Sequence, residues 1–132
     1  MPTWIACVAH VAVDPSSGDV TLKKLWQTID VGTVVNPDGA MPQAEGAALW
    51  GVSLALHEGA QFANGEVLEK NLDRYTPLRM SDVPELDIAF VDSDEFPSGL
   101  GEPPLIPVAP AIGNAIFAAT GQRVRELPIT LV

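Results

Sequence analysis

The sequence contains few of the residues that build disulfides and metal sites. Its single cysteine, Cys7, excludes an internal disulfide and a cysteine-built zinc or iron–sulfur site within these 132 residues. The two histidines, His10 and His57, are too few for a typical histidine-rich metal site. We therefore expect Cys7 to be a small core residue and both histidines to have structural roles.

Basic residues and long apolar runs are scarce as well. Only 7 lysines and arginines stand against 17 aspartates and glutamates, which gives a net charge of −10. Because the phosphate backbone requires a basic surface, this charge argues against a nucleic-acid partner. No apolar stretch reaches the roughly 18 residues of a transmembrane helix, and the N-terminal segment lacks the basic start of a signal peptide. We expect a soluble chain without membrane insertion, in a compartment (cytoplasmic or periplasmic) that the sequence leaves open.

Apolar residues are abundant, at 47% of the 132 positions, together with 12 prolines and 11 glycines. A chain of this length can bury a real core, and we assign residues 1–132 to a single domain. The apolar content is high for so small a domain, which predicts surfaces that another chain covers.

Alternating apolar and polar residues predict four strands. The first two are expected to form an antiparallel hairpin, because the segment between them is rich in turn-forming residues. The dipeptide Asn64-Gly65 predicts the turn of a second hairpin within Ala60–Asn71. The four predicted strands are Trp4–Val13, Val20–Val31, Leu86–Val91 and Leu127–Val132.

Two alanine-rich segments, Ala40–Glu58 and Val108–Thr120, predict helices. Asn36 followed by Pro37 is a helix-start signal, and Gly59 is expected to end the first helix. Gly121 is expected at the C-terminal cap of the second helix.

Two glycines, Gly46 and Gly51, interrupt the first predicted helix and indicate the close approach of another backbone or of a ligand. Together the elements predict an α+β fold, in which antiparallel hairpins form a sheet against two buried apolar helices. Such a fold is expected to be a portion of a larger architecture.

The loop at residues 92–107 is rich in glycine and proline, and loops of this length tend to be functional. Glu102 lies in it between the flexible Gly99–Gly101 and the rigid Pro103-Pro104, which fix the direction of the carboxylate. Desolvation among apolar neighbours would suit this carboxylate to the role of a general base. A glutamate on a surface loop is the simpler alternative.

Other polar residues offer weaker signals. Gln43 and Glu45 lie near the start of the first predicted helix, where free N–H groups can receive an anion, although a solvated first turn is the alternative. Acidic clusters at residues 82–87 and 92–95 lack the spacing of an EF-hand and are interpreted as solvated faces. They are the basis of a third interpretation, a calcium-binding module.

Three parts of the chain resemble one family in order and spacing. The resemblance is carried by Asp30–Pro37 with Gln43–Gly46, by Gly99–Pro103 with Ile106–Ile116, and by closing residues within 118–129. The family is that of xanthine dehydrogenase and aldehyde oxidase, in the C-terminal part of its large molybdopterin-binding subunit. The most similar branch is the isoquinoline 1-oxidoreductase β-subunit type.

The resemblance implies a function and a set of site residues. Members of the family oxidise an aldehyde or an N-heterocycle with oxygen from water at a molybdenum-pterin cofactor, and the electrons leave through iron–sulfur clusters, which are expected on a partner chain. Carried over by position, Glu102 is the general base and Gln43 contacts the pterin. Gly99 and Gly101 belong to the cofactor-binding loop, and no side chain of this chain is implied as a molybdenum ligand.

The family's large subunit is several times longer than this chain. The resemblance therefore implies an active site completed by the remaining molybdopterin-binding portion and by an iron–sulfur subunit. The alternative is a stand-alone remnant of the same fold, which is non-catalytic or serves as an interaction module. In either case we expect the apolar faces of the two helices to be covered by a partner or by a second copy of the chain.

Overall fold

The structure, a computed structural model, describes residues 2–131 and has two helices and five strands within them. A short 3₁₀ helix, Met80–Asp82, precedes the last strand. In chain order the elements are β1 (Trp4–Val13), β2 (Val20–Asp30), α1 (Pro37–Leu56), β3 (Phe62–Ala63), β4 (Glu66–Val67), β5 (Glu85–Phe90) and α2 (Val108–Thr120). The fold is therefore α+β, as predicted.

The main sheet has the strand order β1-β2-β5 and is mixed in direction. β1 and β2 form the predicted antiparallel hairpin, with Trp4 opposite Asp30 and a register shift after His10. β5 pairs with β2 in parallel, with Lys24 opposite Glu85, so the expectation of an antiparallel sheet is wrong for this strand. Because β5 follows a long excursion through α1, no tight turn forces it to run antiparallel to its neighbour.

The core lies between one face of the sheet and the two helices. β2 contributes Leu25 and Ile29, which are completely buried. Val52 of α1 and Ile112 and Ile116 of α2 pack in the same interior, and small alanines let α1 approach the sheet closely. Each helix therefore buries one side in this core.

The first helix begins at the predicted start signal, Asn36-Pro37, and ends earlier than expected. It starts at Pro37, where the backbone N–H groups of Gly39 and Ala40 donate to the carbonyl of Asn36, and it ends at Leu56. Asn36 occupies the N-cap position, but its side chain makes no capping hydrogen bond. Gly59 does not end the helix as predicted, because the last turn closes when the backbone N–H of His57 donates to Ser53. The second helix has its predicted bounds, with a left-handed glycine at its C-cap.

Two other predictions for short elements have opposite outcomes. The second hairpin forms with Asn64 and Gly65 at its turn, both with positive φ, although its strands are only two residues long. No strand is present at 127–131, so the predicted terminal strand is wrong over the described residues. This tail is held instead by a 2.8 Å backbone hydrogen bond from the N–H of Ile129 to the carbonyl of Ala55 in α1.

The outer face of the sheet, opposite the helices, carries exposed apolar side chains. Trp4 is 64% exposed, Val8 61% and Trp26 36%. Because Val8 lies opposite Trp26 across the hairpin, these side chains form one surface, which we call the outer sheet face. The apolar excess was predicted on the helices, but Trp50 is their only large exposed apolar residue among those described. Neither helix within residues 2–131 is both long enough and apolar enough to cross a membrane.

Candidate functional site

The segment Ser98–Pro104, which we call the Glu102 loop, is tied to the sheet at its first residues. The backbone N–H of Ser98 donates to the carbonyl of Val31 over 2.8 Å, just beyond the end of β2. The Thr3 hydroxyl, just before β1, donates to the carbonyl of Gly99 over 2.5 Å. The beginning of the loop is therefore fixed against the ends of two neighbouring strands.

The middle and the end of the loop are anchored inside the protein. Leu100 packs against a small buried cluster formed by Ile29, Val31 and Ala44. Pro104 is completely buried, and its carbonyl accepts a 2.6 Å hydrogen bond from Nε2 of Gln27 on β2. Residues 98, 100 and 104 thus face the protein and hold the backbone between them.

Three of the remaining residues of the loop face outward. Gly99, Gly101 and Glu102 are all exposed. The sequence suggested that Glu102 would be desolvated by apolar neighbours, but in this chain Leu100 and Pro104 turn inward and leave the carboxylate on the surface. Burial of Glu102 therefore requires something outside the described residues.

Gln43 lies beside this exposed surface. Its Nε2 is 3.9 Å from the position that a Cβ would take at Gly101, so the structure brings these two predicted site residues together. A Cβ at Gly99 would meet nothing within 4 Å, and neither loop glycine has a positive φ. The chain itself therefore does not require glycine at 99 or 101. What these glycines provide is bare backbone next to an amide side chain, which fits the close approach of a flat polar ligand.

An anion site at the start of α1 is not supported for Gln43 and Glu45. Because the helix begins at Pro37, both residues lie beyond its first turn, where backbone N–H groups are used within the helix. Both side chains are exposed.

Two close-packed glycines, Gly32 and Gly51, lie next to the Glu102 loop or its supports. Gly32 has φ +72°, and a Cβ there would collide with the carbonyl oxygens of Glu95 and Phe96. A Cβ at Gly51 would lie 2.9 Å from the carbonyl oxygen of Leu105, so the predicted close approach is confirmed there. At Gly46 nothing among the described residues lies within 4 Å, so the close approach of a ligand there stays a prediction.

The buried polar group beneath the loop is Gln27, which is 1% exposed. Its Nε2 also lies 3.7 Å from Sγ of Cys7, and burial raises the pKa of that thiol above its ordinary value. Cys7 is half-buried against the main core, which agrees with its predicted packing role. Gln27 was not among the predicted site residues. The sequence feature that could have identified Gln27 is a polar residue at an inward position of an alternating strand, between Leu25 and Ile29.

Other candidate sites are less well supported. Within residues 2–131, no three histidine, cysteine, aspartate or glutamate side chains are arranged to hold a metal ion. A groove of about 690 Å³ lies between β2, the C-terminal end of α1 and the chain's tail. It contains none of the predicted site residues, so the candidate site is an open surface in this chain.

The comparisons with known proteins agree on one family. The sequence profile described as "Molybdopterin cofactor-binding domain" matches residues 1–84. A protein of Gluconacetobacter polyoxogenes named membrane-bound aldehyde dehydrogenase [pyrroloquinoline-quinone] is 57% identical over 129 residues, which cover 98% of this chain and 17% of that protein. The isoquinoline 1-oxidoreductase subunit beta of Brevundimonas diminuta is 37% identical over 95% of this chain and 16% of its own length.

A solved structure shares the fold. The aldehyde oxidoreductase of Desulfovibrio gigas superposes with a TM-score of 0.83 and 30% identity, over 96% of this chain and 14% of that one. The chain therefore spans about a sixth of the length of the curated relatives that it matches.

Proposed function

The chain belongs to the molybdopterin cofactor-binding domain family, in the C-terminal part of the large subunits of the xanthine dehydrogenase and aldehyde oxidase family, and on this premise we propose that it supplies one wall of a molybdenum hydroxylase active site. The observation that carries the proposal is the Glu102 loop. Its tethers at 98, 100 and 104 leave a carboxylate and two bare glycines facing outward beside the Gln43 amide.

Each exposed group has a role in this proposal. The side-chain amide of Gln43 can both donate to and accept from the polar edge of a pterin, and the bare backbone at Gly99 and Gly101 lets the cofactor approach closely. The bound molybdenum-pterin cofactor supplies the redox centre that receives the substrate's electrons. Glu102 accepts the proton from the water whose oxygen enters the substrate, as a carboxylate general base does. The names of the relatives suggest an aldehyde or an N-heterocycle as substrate.

The remainder of the site comes from outside the chain in this proposal. Because the chain spans only about a sixth of its relatives' length, we propose that residues 1–132 act as one domain and are completed by the remaining molybdopterin-binding portion. An iron–sulfur chain would accept the electrons. Closure of that larger assembly would also exclude water from Glu102, which this chain alone leaves exposed.

One relative's name suggests a different cofactor. The Gluconacetobacter protein is named for pyrroloquinoline quinone, whereas the matching family profile is described by molybdopterin. We favour molybdopterin because that profile covers residues 1–84, including Gln43. Cofactor analysis separates the two alternatives directly.

The first experiment is cofactor and partner analysis of the protein purified from its native host without dissociating associated chains. We expect about one molybdenum per chain, no quinone and a longer co-purifying polypeptide. Stoichiometric quinone without molybdenum would reject the proposed cofactor. The absence of any cofactor and any partner would favour the non-catalytic remnant instead.

The role of Glu102 is tested by Glu102→Gln in the assembled enzyme. Turnover should fall by about 10²–10⁴-fold, because the amide cannot accept the proton, while molybdenum content stays unchanged. Glu95→Gln is the matched control, since it removes the same charge from an exposed position of the same connecting segment. Equal turnover for the two variants would reject Glu102 as the base.

A further inference from the structure

Gln27 is an unusual residue for its position. It lies on β2 between the completely buried Leu25 and Ile29, on the face that packs against the helices. Its Oε1 is buried and has no hydrogen-bond donor among residues 2–131. A buried acceptor without a partner is unfavourable, so packing alone would favour an apolar side chain here. The reason for a glutamine at this position must therefore lie in the other atom of its amide, the donor Nε2.

Nε2 of Gln27 holds the Glu102 loop. Nε2 of Gln27 donates to the carbonyl of Pro104 over 2.6 Å, two residues after Glu102. Pro103 and Pro104 have no backbone N–H, so this stretch can be tied to the sheet only through its carbonyl groups. The turn that follows is closed by Leu105, whose N–H donates to the carbonyl of Glu102 over 3.0 Å. The Gln27 bond therefore fixes a turn that contains the backbone of Glu102 itself.

We propose that Gln27 is a positioning residue, which holds the Glu102 loop from beneath and sets the position of the carboxylate. The proposal rests on the proposed function for its catalytic consequence, because only then does the position of Glu102 affect turnover. Ser98, Gly99, Leu100 and Pro104 are the fixed points of the loop, and Pro104 is the one that follows Glu102 in the chain. Loss of the Gln27 bond should therefore loosen the second half of the loop and leave the first half in place.

The structural test is hydrogen exchange in the full chain with its associated partners, comparing the unchanged protein with Gln27→Met. Methionine has a similar length, no donor and no unsatisfied acceptor, so the variant is expected to fold. The amides of Leu105 and Ile106 should exchange at least about tenfold faster, because both are bonded within the turn that Gln27 holds. The amide of Ser98, bonded to Val31, should be unaffected.

Leu25→Met is the matched control, since it changes a buried side chain on the same face of β2 without touching the loop bond. It should leave the exchange of Leu105 and Ile106 unchanged. Unchanged exchange in Gln27→Met, or equally faster exchange throughout β1 and β2, would overturn the proposal. If Gln27→Met fails to fold, NMR spectra of the unchanged protein provide the test. The Nε2 protons of Gln27 must exchange slowly and show a coupling to the Pro104 carbonyl across the hydrogen bond.

The catalytic consequence is tested by kinetics per bound molybdenum. In Gln27→Met, kcat should fall by about tenfold to a hundredfold with KM nearly unchanged, because a displaced base affects the chemical step more than substrate binding. An unchanged kcat together with a loosened loop would overturn the positioning role. If Glu102→Gln retains full activity while Gln27→Met still loosens the loop, the proposed function fails and the anchoring of the loop stands.

Discussion

At the scale of single residues, Gly101 has no reason within this chain to be glycine. Its φ is not positive, and an added Cβ would be in ordinary contact with Gln43 at 3.9 Å. We therefore predict that Gly101→Ala changes the free energy of unfolding of the chain by no more than about 0.5 kcal/mol. In the assembled protein the added methyl group would occupy the space into which the proposed cofactor fits. Molybdenum content, measured per chain, should then fall several-fold.

The control for this prediction is Gly113→Ala. Gly113 lies in α2, where an added Cβ would meet nothing within 4 Å, and it is not part of the Glu102 loop. It should leave the molybdenum content unchanged. Equal molybdenum content in all three proteins would show that the cofactor does not approach Gly101 closely.

The site residues differ in how far sequence could predict them. Glu102 and Gln43 were singled out by their local sequence, and the resemblance assigned roles to them and to the loop glycines. The structure places Gln43 beside Gly101. Whether these residues bind a cofactor stays a prediction. The supports of the loop, Gln27 and Ser98, were not predicted, because their partners are 77 and 67 residues away in sequence. A local pattern reports that Gln27 is polar and faces inward, but not which carbonyl group it contacts.

At the scale of elements, the two glycines of α1 have opposite surroundings. A Cβ at Gly51 would lie 2.8 Å from Cβ of Val108 and 2.9 Å from the carbonyl oxygen of Leu105, so the start of α2 would have to shift. We predict that Gly51→Ala lowers the free energy of unfolding by about 1–3 kcal/mol, as overpacking does. Gly46→Ala should raise it by up to about 1 kcal/mol, because alanine is the better helix former and nothing is in contact.

Urea denaturation of both variants checks this pair. The midpoints should move in opposite directions from that of the unchanged chain, with similar slopes. A loss of stability in both variants would mean that Gly46 also has a close neighbour, contrary to the structure. Since the two substitutions add the same methyl group to the same helix, helix propensity alone cannot explain opposite signs.

Elements with a strong local pattern were predicted well. β1 and α2 have their predicted bounds, since each has a clear period and α2 ends at a left-handed glycine. The direction of β5 was wrong, because strand alternation does not encode the neighbour or its orientation. The predicted strand at the C-terminal end failed for a related reason. Ile129 bonds to Ala55 of α1, a partner that the pattern of apolar residues does not encode.

At the scale of the whole molecule, the outer sheet face is an apolar surface that no element of the described residues covers. The helices cover one side of the sheet, and Trp4, Val8 and Trp26 remain exposed on the other. Lys24, paired with Glu85 over 2.7 Å and stacked 4.9 Å from the Trp26 ring, forms a charged border to this surface. An apolar centre with a charged rim is typical of an interface. Because the relatives are about six times longer, we expect their remaining portion to cover it.

We predict that without that portion the chain associates with itself through the outer sheet face. Full burial of a valine is worth about 1.5–3 kcal/mol, and each 1.4 kcal/mol changes an association constant about tenfold. Val8→Lys should therefore weaken self-association at least about tenfold in sedimentation equilibrium, since it places a charge opposite Trp26. Phe62→Lys, at another exposed apolar residue, in the β3–β4 hairpin, should leave it unchanged.

The same variants test the proposed occupant of the surface. When the longer partner is co-expressed, Val8→Lys should reduce its co-purification and Phe62→Lys should not, because only Val8 lies on the outer sheet face. A clean monomer of the unchanged chain at high concentration would contradict self-association through this face. If the Val8→Lys variant retains the partner, the partner must contact a different surface of the chain. Trp50 on α1 is then the next exposed apolar residue to substitute.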